Sequence, residues 1–280
     1  MSIEVTTTTP ATELSRTLAA CRAEGRAALV GYLPVGYPTV DDSIAAMVAL
    51  VESGCDVVEV GIPYTDPVLD GPTIQDASVI ALEGGVRVAD AFRAVRAVTE
   101  AGAPAVIMSY YNLVLRHGVD AFAADLAAAG GSGLITPDLI PDEAGAWLAA
   151  ADQHGLDPIF LVAPSTTEQR MAATTAACRG FVYVTSVMGV TGARTTVGGR
   201  AHDTIDRARA ATDLPLAVGL GVSTREQAAE VAAYADGVIV GSALVKALGE
   251  GEDALRALTR ELAAGVREGR RAEHGEGPQA

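Results

Sequence analysis

Along almost its whole length the chain alternates short, nearly uninterrupted apolar runs with alanine-rich stretches of helical spacing. The runs are Ala28–Leu33, Asp56–Gly61, Pro104–Tyr110, Gly133–Pro137, Pro158–Val162, Phe181–Ser186, Leu216–Gly219 and Gly237–Gly241. Segments such as VVEVG, AVIMSY, IFLV and FVYVTS are apolar on both faces, the pattern of parallel strands covered on both sides. Eight β/α units in series, each about 25–35 residues long, predict an α/β fold of the closed (β/α)8 type, a TIM barrel. An open doubly wound sheet is the alternative arrangement of the same units.

The helical stretches carry their own start signals. Asp41, Asp42 and Ser43 are candidate caps for a helix over Ile44–Ser53, and Ser223-Thr-Arg-Glu226 has the spacing of a capping box opening a helix that runs through Ala233. Before the first strand, Ala11–Glu24 reads as an extra N-terminal helix able to cover the barrel bottom. With 280 residues and no linker-like break, the expected organisation is one barrel domain over residues 11–268. A disordered N-terminus over 1–10, with its threonine run, and a mobile polar tail over 269–280 flank it.

Apolar residues make up 49% of the chain and aromatics only 4%, so alanine, valine and leucine must build the core. The formal net charge of −15 disfavours nucleic acid and anionic membranes, which are bound through clustered Lys and Arg. Cys21, Cys55 and Cys178 are isolated, with no C-x-x-C or Cys/His cluster, so neither a disulfide framework nor a metal site is expected. The opening MSIEVTTTTP lacks the basic and apolar regions of a signal peptide, and no apolar run reaches the roughly 20 residues of a membrane span. A cytoplasmic protein is expected.

Against this background Glu59 stands out, inside the apolar run Val57-Val-Glu-Val-Gly61. An ionised carboxylate buried there costs several kcal/mol unless it is paired, so the group must be satisfied or protonated. Burial raises a carboxyl pKa and suits it to donate a proton near neutral pH, and Glu59 lies toward the C-terminal end of its strand, the face where barrel enzymes do their chemistry. A structural Glu bonded to a neighbouring hydroxyl or Arg is the plainer alternative. The following stretch, Tyr64-Thr-Asp-Pro-Val-Leu-Asp-Gly-Pro-Thr-Ile-Gln75, is long for a βα connection and supplies two further acids, Asp66 and Asp70. Asp66, before Pro67, fits a turn; Asp70, before Gly71-Pro72, fits a turn that aims its side chain inward. Two carboxylates in different surroundings are what paired proton transfers require.

Three later loops are glycine-rich: Met188-Gly-Val-Thr-Gly-Ala-Arg-Thr195, Gly219-Leu-Gly-Val-Ser223 and Gly241-Ser-Ala-Leu-Val-Lys246. Glycines admit an anion close to the backbone and helix N-termini present free N–H groups, and the loops after the last two strands are the usual phosphate position in barrels. Simple strand-to-helix turn geometry explains the same glycines without a ligand. Tyr183, within Phe-Val-Tyr-Val, faces either the barrel interior or an outer helix.

Taken together, these residues resemble one family. Glu59-Val-Gly-Ile-Pro-Tyr-Thr-Asp-Pro-Val-Leu-Asp-Gly-Pro-Thr-Ile-Gln75 closely resembles the signature of tryptophan synthase alpha chains, and the likeness runs from about Leu14 to Arg267. It includes Gly31-Tyr-Leu-Pro-Val-Gly-Tyr-Pro38, Tyr110-Tyr-Asn112, Pro137-Asp-Leu139, Gly189-Val-Thr-Gly192 and Gly241-Ser242. The resemblance implies a lyase that splits indole-3-glycerol phosphate into indole and glyceraldehyde 3-phosphate by a retro-aldol step. It makes Glu59 the acid–base at indole C3, Asp70 the partner of the ring N–H, and Tyr183 the support of Glu59 and the glycerol chain. Gly192, Gly221, Gly241 and Ser242 would hold the phosphate, Thr191 would bind substrate beside them, and Tyr32, Tyr110, Ile135 and Leu220 would help form the slot for the ring.

The resemblance also implies a partner, the beta chain, in an αββα heterotetramer. No cofactor is expected in this subunit, with pyridoxal phosphate confined to the beta partner. The loops Pro63–Gln75 and Val190–Val197 would order when substrate and partner bind. Two departures from some members stand in the sequence: Ser186-Val-Met-Gly189 lacks an arginine, and Leu220 replaces a phenylalanine. The rival readings are a stand-alone lyase releasing indole, a catalytically silent activator of a beta chain, and another phosphosugar barrel.

Overall fold

In the computed structural model, residues 11–185, 199–219 and 221–269 are described. Parallel strands pair in the order β5-β4-β3-β2-β1-β9-β8-β7-β6. They are β1 (Ala28–Pro34), β2 (Val57–Gly61), β3 (Ala105–Met108), β4 (Gly133–Ile135), β5 (Asp157–Ile159), β6 (Leu161–Val162), β7 (Val182–Thr185), β8 (Leu216–Gly219) and β9 (Gly237–Val240). The two ends of this order, β5 and β6, are consecutive in the chain with Phe160 between them, so the sheet curls into a closed cylinder. This is the (β/α)8 barrel that the sequence predicts.

The expected fifth strand, Pro158–Val162, is therefore two short runs. Pro158 has no N–H to give a ladder, and the Phe160 N–H donates to the Cys178 thiol at 3.4 Å instead of to a neighbouring strand. The Phe160 carbonyl accepts the Tyr183 N–H at 3.1 Å. At the second strand, Asp56 stands just before Val57–Gly61; its N–H donates to the Leu29 carbonyl of β1 at 2.9 Å, and its carboxylate braces the same junction. It accepts two bonds from Arg26, each 2.9 Å, and one from the Leu29 N–H at 2.8 Å.

The helices are α1 (Glu13–Ala23), α2 (Val40–Glu52), α3 (Pro72–Glu83), α4 (Val88–Glu100), α5 (Tyr111–His117), α6 (Val119–Ala128), α7 (Gly145–His154), α8 (Glu168–Ala177), α9 (Gly199–Arg209), α10 (Arg225–Ala232), α11 (Ser242–Glu250) and α12 (Glu252–Glu268). Two expected caps move. Thr39, not Asp41, Asp42 or Ser43, caps α2: its hydroxyl accepts the Asp42 N–H at 3.2 Å, the two aspartates sit in the first turn, and the buried Ser43 hydroxyl donates to Val40 O. Thr224, not Ser223, caps α10 by accepting the Gln227 N–H, and Gln227 Oε1 takes the Ser223 N–H at 2.8 Å. The stretch expected as loop through Gln75 ends earlier, because Pro72 opens α3 behind Gly71. Residues 1–10 and 270–280, expected as mobile ends, lie outside the described residues; Gly269 caps α12 and is buried. None of the described helices is long and apolar enough to cross a membrane.

Apolar packing falls into two layers. The larger lies between strands and surrounding helices, while the smaller fills the cylinder with Ala28, Val30, Val57, Val106, Ile135 and Ile159 among its members. Leu14, Leu18 and Cys21 of α1 belong to that inner layer, so the extra helix plugs the bottom of the barrel as expected. Thr12, its cap, fastens it there by donating to Asp157 Oδ2 at 2.5 Å.

Candidate active site

Because side chains alternate along a strand, the inward set at the upper end follows from the packed layer below. Val57 faces inward on β2 and so does Glu59; Val30 does on β1, and so does Tyr32, which pairs directly across from Glu59. Glu59 is 1% exposed, and its Oε2 has no hydrogen-bond partner among the described residues. Burial, and then the charge of Asp70, push its carboxyl up to about 8. At pH 7 it therefore holds a proton.

Asp70 precedes the first residues of α3 and is only partly buried. Burial raises its carboxyl to about 6, so at pH 7 it is mostly ionised. Its charge helps raise the Glu59 carboxyl and the phenols of Tyr32, Tyr110 and Tyr183, so these four groups lie within its electrostatic reach. The two carboxyls are thus pushed to different protonation states by their surroundings. Asp66, the other acid of the loop, is exposed and bonded to the Thr65 hydroxyl at 2.5 Å.

Tyr183 faces the interior, which resolves its two possible orientations. A Cβ built on Gly219 would stand 2.5 Å from its hydroxyl, so the neighbouring strand makes room for the ring by carrying glycine. Burial, then Glu59 and Asp70, raise its phenol well above the ordinary value. Tyr32 uses the same device against Gly61 and also approaches Gly241. Ile135 is buried on β4 in the inner layer. The Tyr110 ring lies just past β3, but its hydroxyl is engaged by the backbone of the Asp70 loop.

The glycine loops after β8 and β9 converge on the mouth. Gly221 has φ +70°, a left-handed conformation that a side chain resists. Gly241 caps α11 without a side-chain bond, which leaves the first-turn N–H groups from Ser242 onward open to an anion or water. Thr191, Gly192 and Leu220, and the loop Val190–Val197, lie outside the described residues. Among the described residues no group of three or more His, Cys, Asp or Glu side chains is placed to hold a metal ion.

A family model for the tryptophan synthase alpha chain matches residues 18–273. The chain belongs to that family. It is 67% identical over 248 residues to the tryptophan synthase alpha chain of Mycobacterium marinum, covering 89% of this chain and 92% of the relative. Among solved structures, tryptophan synthase from Mycobacterium tuberculosis matches with a TM-score of 0.89 at 64% identity, over 92% of this chain and 99% of that one. The tryptophan synthase alpha chain of Legionella pneumophila matches at 31% identity with a TM-score of 0.82, over 91% and 97% of the two chains.

Three residues at the mouth of this tryptophan synthase alpha chain fold escape the sequence reading. Ile74 of α3 is buried and its Cδ1 comes within 3.6 Å of a Cβ position on Gly241. Met108 and Leu161 are half-buried and pack on the inner layer. Strand parity is the signal that finds them: Met108 lies two residues beyond the inward Val106, and Leu161 two beyond Ile159. Ile74 has no such signal, since it sits where a loop was expected.

Proposed function

We propose that the chain is the alpha subunit of tryptophan synthase, a carbon–carbon lyase that cleaves indole-3-glycerol phosphate to indole and glyceraldehyde 3-phosphate. The observation that carries this reading is a buried Glu59 carboxyl, raised to about 8 and with its Oε2 lacking a hydrogen-bond partner among the described residues, within electrostatic reach of an Asp70 carboxyl raised to about 6. Glu59 delivers its proton to C3 of the ring while Asp70 accepts the ring N–H. Protonation interrupts the aromaticity and creates an electron sink beside the bond to be cut. The carboxylate left on Glu59 takes the proton of the C3′ hydroxyl, and the carbon–carbon electrons then flow into the ring, giving an aldehyde on one side and indole on the other. Proton transfer by positioned groups is worth about 10²–10⁴-fold in rate. Tyr183 supports Glu59 and the glycerol chain, while Tyr32 and Ile135 wall the ring.

The phosphate is held by Gly221, Gly241 and Ser242, together with Gly192, and Thr191 binds substrate. Backbone N–H groups suit this task in a chain of net charge −15, because they bind an anion without adding side-chain cations. The chemistry calls for proton transfers alone, and pyridoxal phosphate belongs to the beta chain of the αββα assembly. A docking surface for that partner is available at the barrel mouth. Val68, Leu115 and Ile140 follow β2, β3 and β4 and are 66%, 57% and 45% exposed, an apolar group that a partner would cover. The barrel of residues 11–268 acts as one domain, in the cytoplasm where amino-acid synthesis proceeds.

The test is indole release from indole-3-glycerol phosphate by the purified chain, alone and with a beta chain. Turnover that rises on adding the beta chain is expected. No turnover under either condition would overturn the reading.

A further inference from the structure

Tyr110 stands between β3 and α5, and its phenolic oxygen is occupied. It accepts the backbone N–H of Val68 at 2.8 Å and that of Leu69 at 3.2 Å. Its ring stacks on Tyr64, with centroids 4.7 Å apart and planes inclined by 30°, and Asn112 Nδ2 donates to the Tyr64 hydroxyl at 3.1 Å. On the other side of the same segment, Gln75 Nε2 donates to the carbonyl of Asp70 at 2.8 Å. Residues 68–70 are therefore tied from both ends through their main chain. The Val68 side chain contributes little, being 66% exposed. A phenol serving only as a wall of the ring slot would not need its oxygen placed on two loop amides.

We infer that Tyr110 is a positioning residue for Asp70, its hydroxyl fixing the main chain beside the carboxyl-bearing residue and so setting that carboxyl at the barrel mouth. This rests on the role given to Asp70 above. The groups that face Asp70 are Glu59 on β2, Tyr32 on β1, Tyr183 on β7 and Tyr110 itself. Burial alone holds the Asp70 carboxyl near 6 against an ordinary 3.8, so a loop freed to swing outward would hydrate the carboxyl and lower that value.

Tyr110→Phe keeps the ring and removes the acceptor. In the full chain with a beta partner, kcat for indole formation is expected to fall by roughly ten-fold or more, since small misplacements of reacting groups cost rate steeply. KM should stay within about two-fold, because the ring slot and the phosphate loops are untouched. The acid limb of the kcat profile should move to lower pH, and hydrogen exchange at the Val68 and Leu69 amides should quicken. An unchanged kcat or an unmoved acid limb, whatever the exchange rates, overturns the inference. So does a variant whose loss is confined to KM, which would make Tyr110 a wall of the pocket. If the wild-type chain forms no indole at all, the reading of the site falls instead, and exchange at the two amides alone decides whether the tether exists.

Discussion

The Tyr32 ring lies against the backbone of Gly61, the residue two positions beyond Glu59 on the adjacent strand. A Cβ on Gly61 would stand 2.5 Å from Tyr32 Cε2 and 2.6 Å from Cζ, and would collide with the hydroxyl as well. Glycine at 61 is thus the condition for a large aromatic ring to lie across the floor of the chamber beside the acid.

Gly61→Ala should therefore push Tyr32 off its position. Overpacking a rigid interior typically costs about 1–3 kcal/mol, so the melting temperature should drop by several degrees. Removing the ring relieves the clash, so a double-mutant cycle with Tyr32→Ala should show favourable coupling between the two changes. Additive losses would mean that the ring and the strand do not constrain one another.

Glu59→Gln keeps the shape and removes the proton. Turnover should become undetectable while binding of substrate persists; near-normal turnover would remove Glu59 from the reaction. The same variant tests the electrostatics. The folded carboxyl titrates at about 8 against an ordinary 4.5, so the native state holds the proton more tightly than the unfolded chain. The stabilisation that this provides is complete below about pH 4.5 and is lost as pH rises through 8. At about 1.4 kcal/mol per pH unit, wild-type stability should fall by several kcal/mol relative to Glu59→Gln across that window. Urea titrations at a series of pH values would check it; parallel stability curves would contradict it.

Gly221→Val acts at a left-handed turn beside the proposed phosphate loop. The side chain disfavours φ +70° by roughly 1–2 kcal/mol and crowds the approach of an anion. The expected signature is a raised KM with a smaller change in kcat. An unchanged KM would place the phosphate elsewhere.

Leu115→Asp combined with Ile140→Asp puts two charges on exposed apolar positions distant from Glu59 in the chain. The isolated chain should retain its basal turnover, and activation by the beta chain should weaken by roughly ten-fold or more, because a buried unpaired charge is costly. Full activation would move the docking surface away from these loops.

Much of this was legible because parallel strands covered on both sides must be apolar throughout, so their runs announce themselves and a lone Glu59 within one is conspicuous. The interruption at Phe160 was hidden, since it depends on a thiol 18 residues away. The orientation of Tyr183 was hidden for a related reason: where both faces of a strand are buried, composition does not distinguish inside from outside. Only the layer below, Phe181, fixes it. The cap of α2 is ambiguous in the sequence because Thr39, Asp41, Asp42 and Ser43 are all competent, and the buried bond from the Gly36 N–H to the Ser43 hydroxyl is a tertiary matter. The family resemblance makes Tyr110 a wall of the ring slot, while its bonds to Val68 and Leu69 join residues more than forty positions apart and leave no local signal.

The plug formed by Leu14, Leu18 and Cys21 closes the lower end of the cylinder with apolar side chains. At the other end, Asp70 and the segment tied to Tyr110 lie within reach of Glu59. A protein seated over that rim would act as a customs post, deciding whether a small hydrophobic product escapes to water or is handed on.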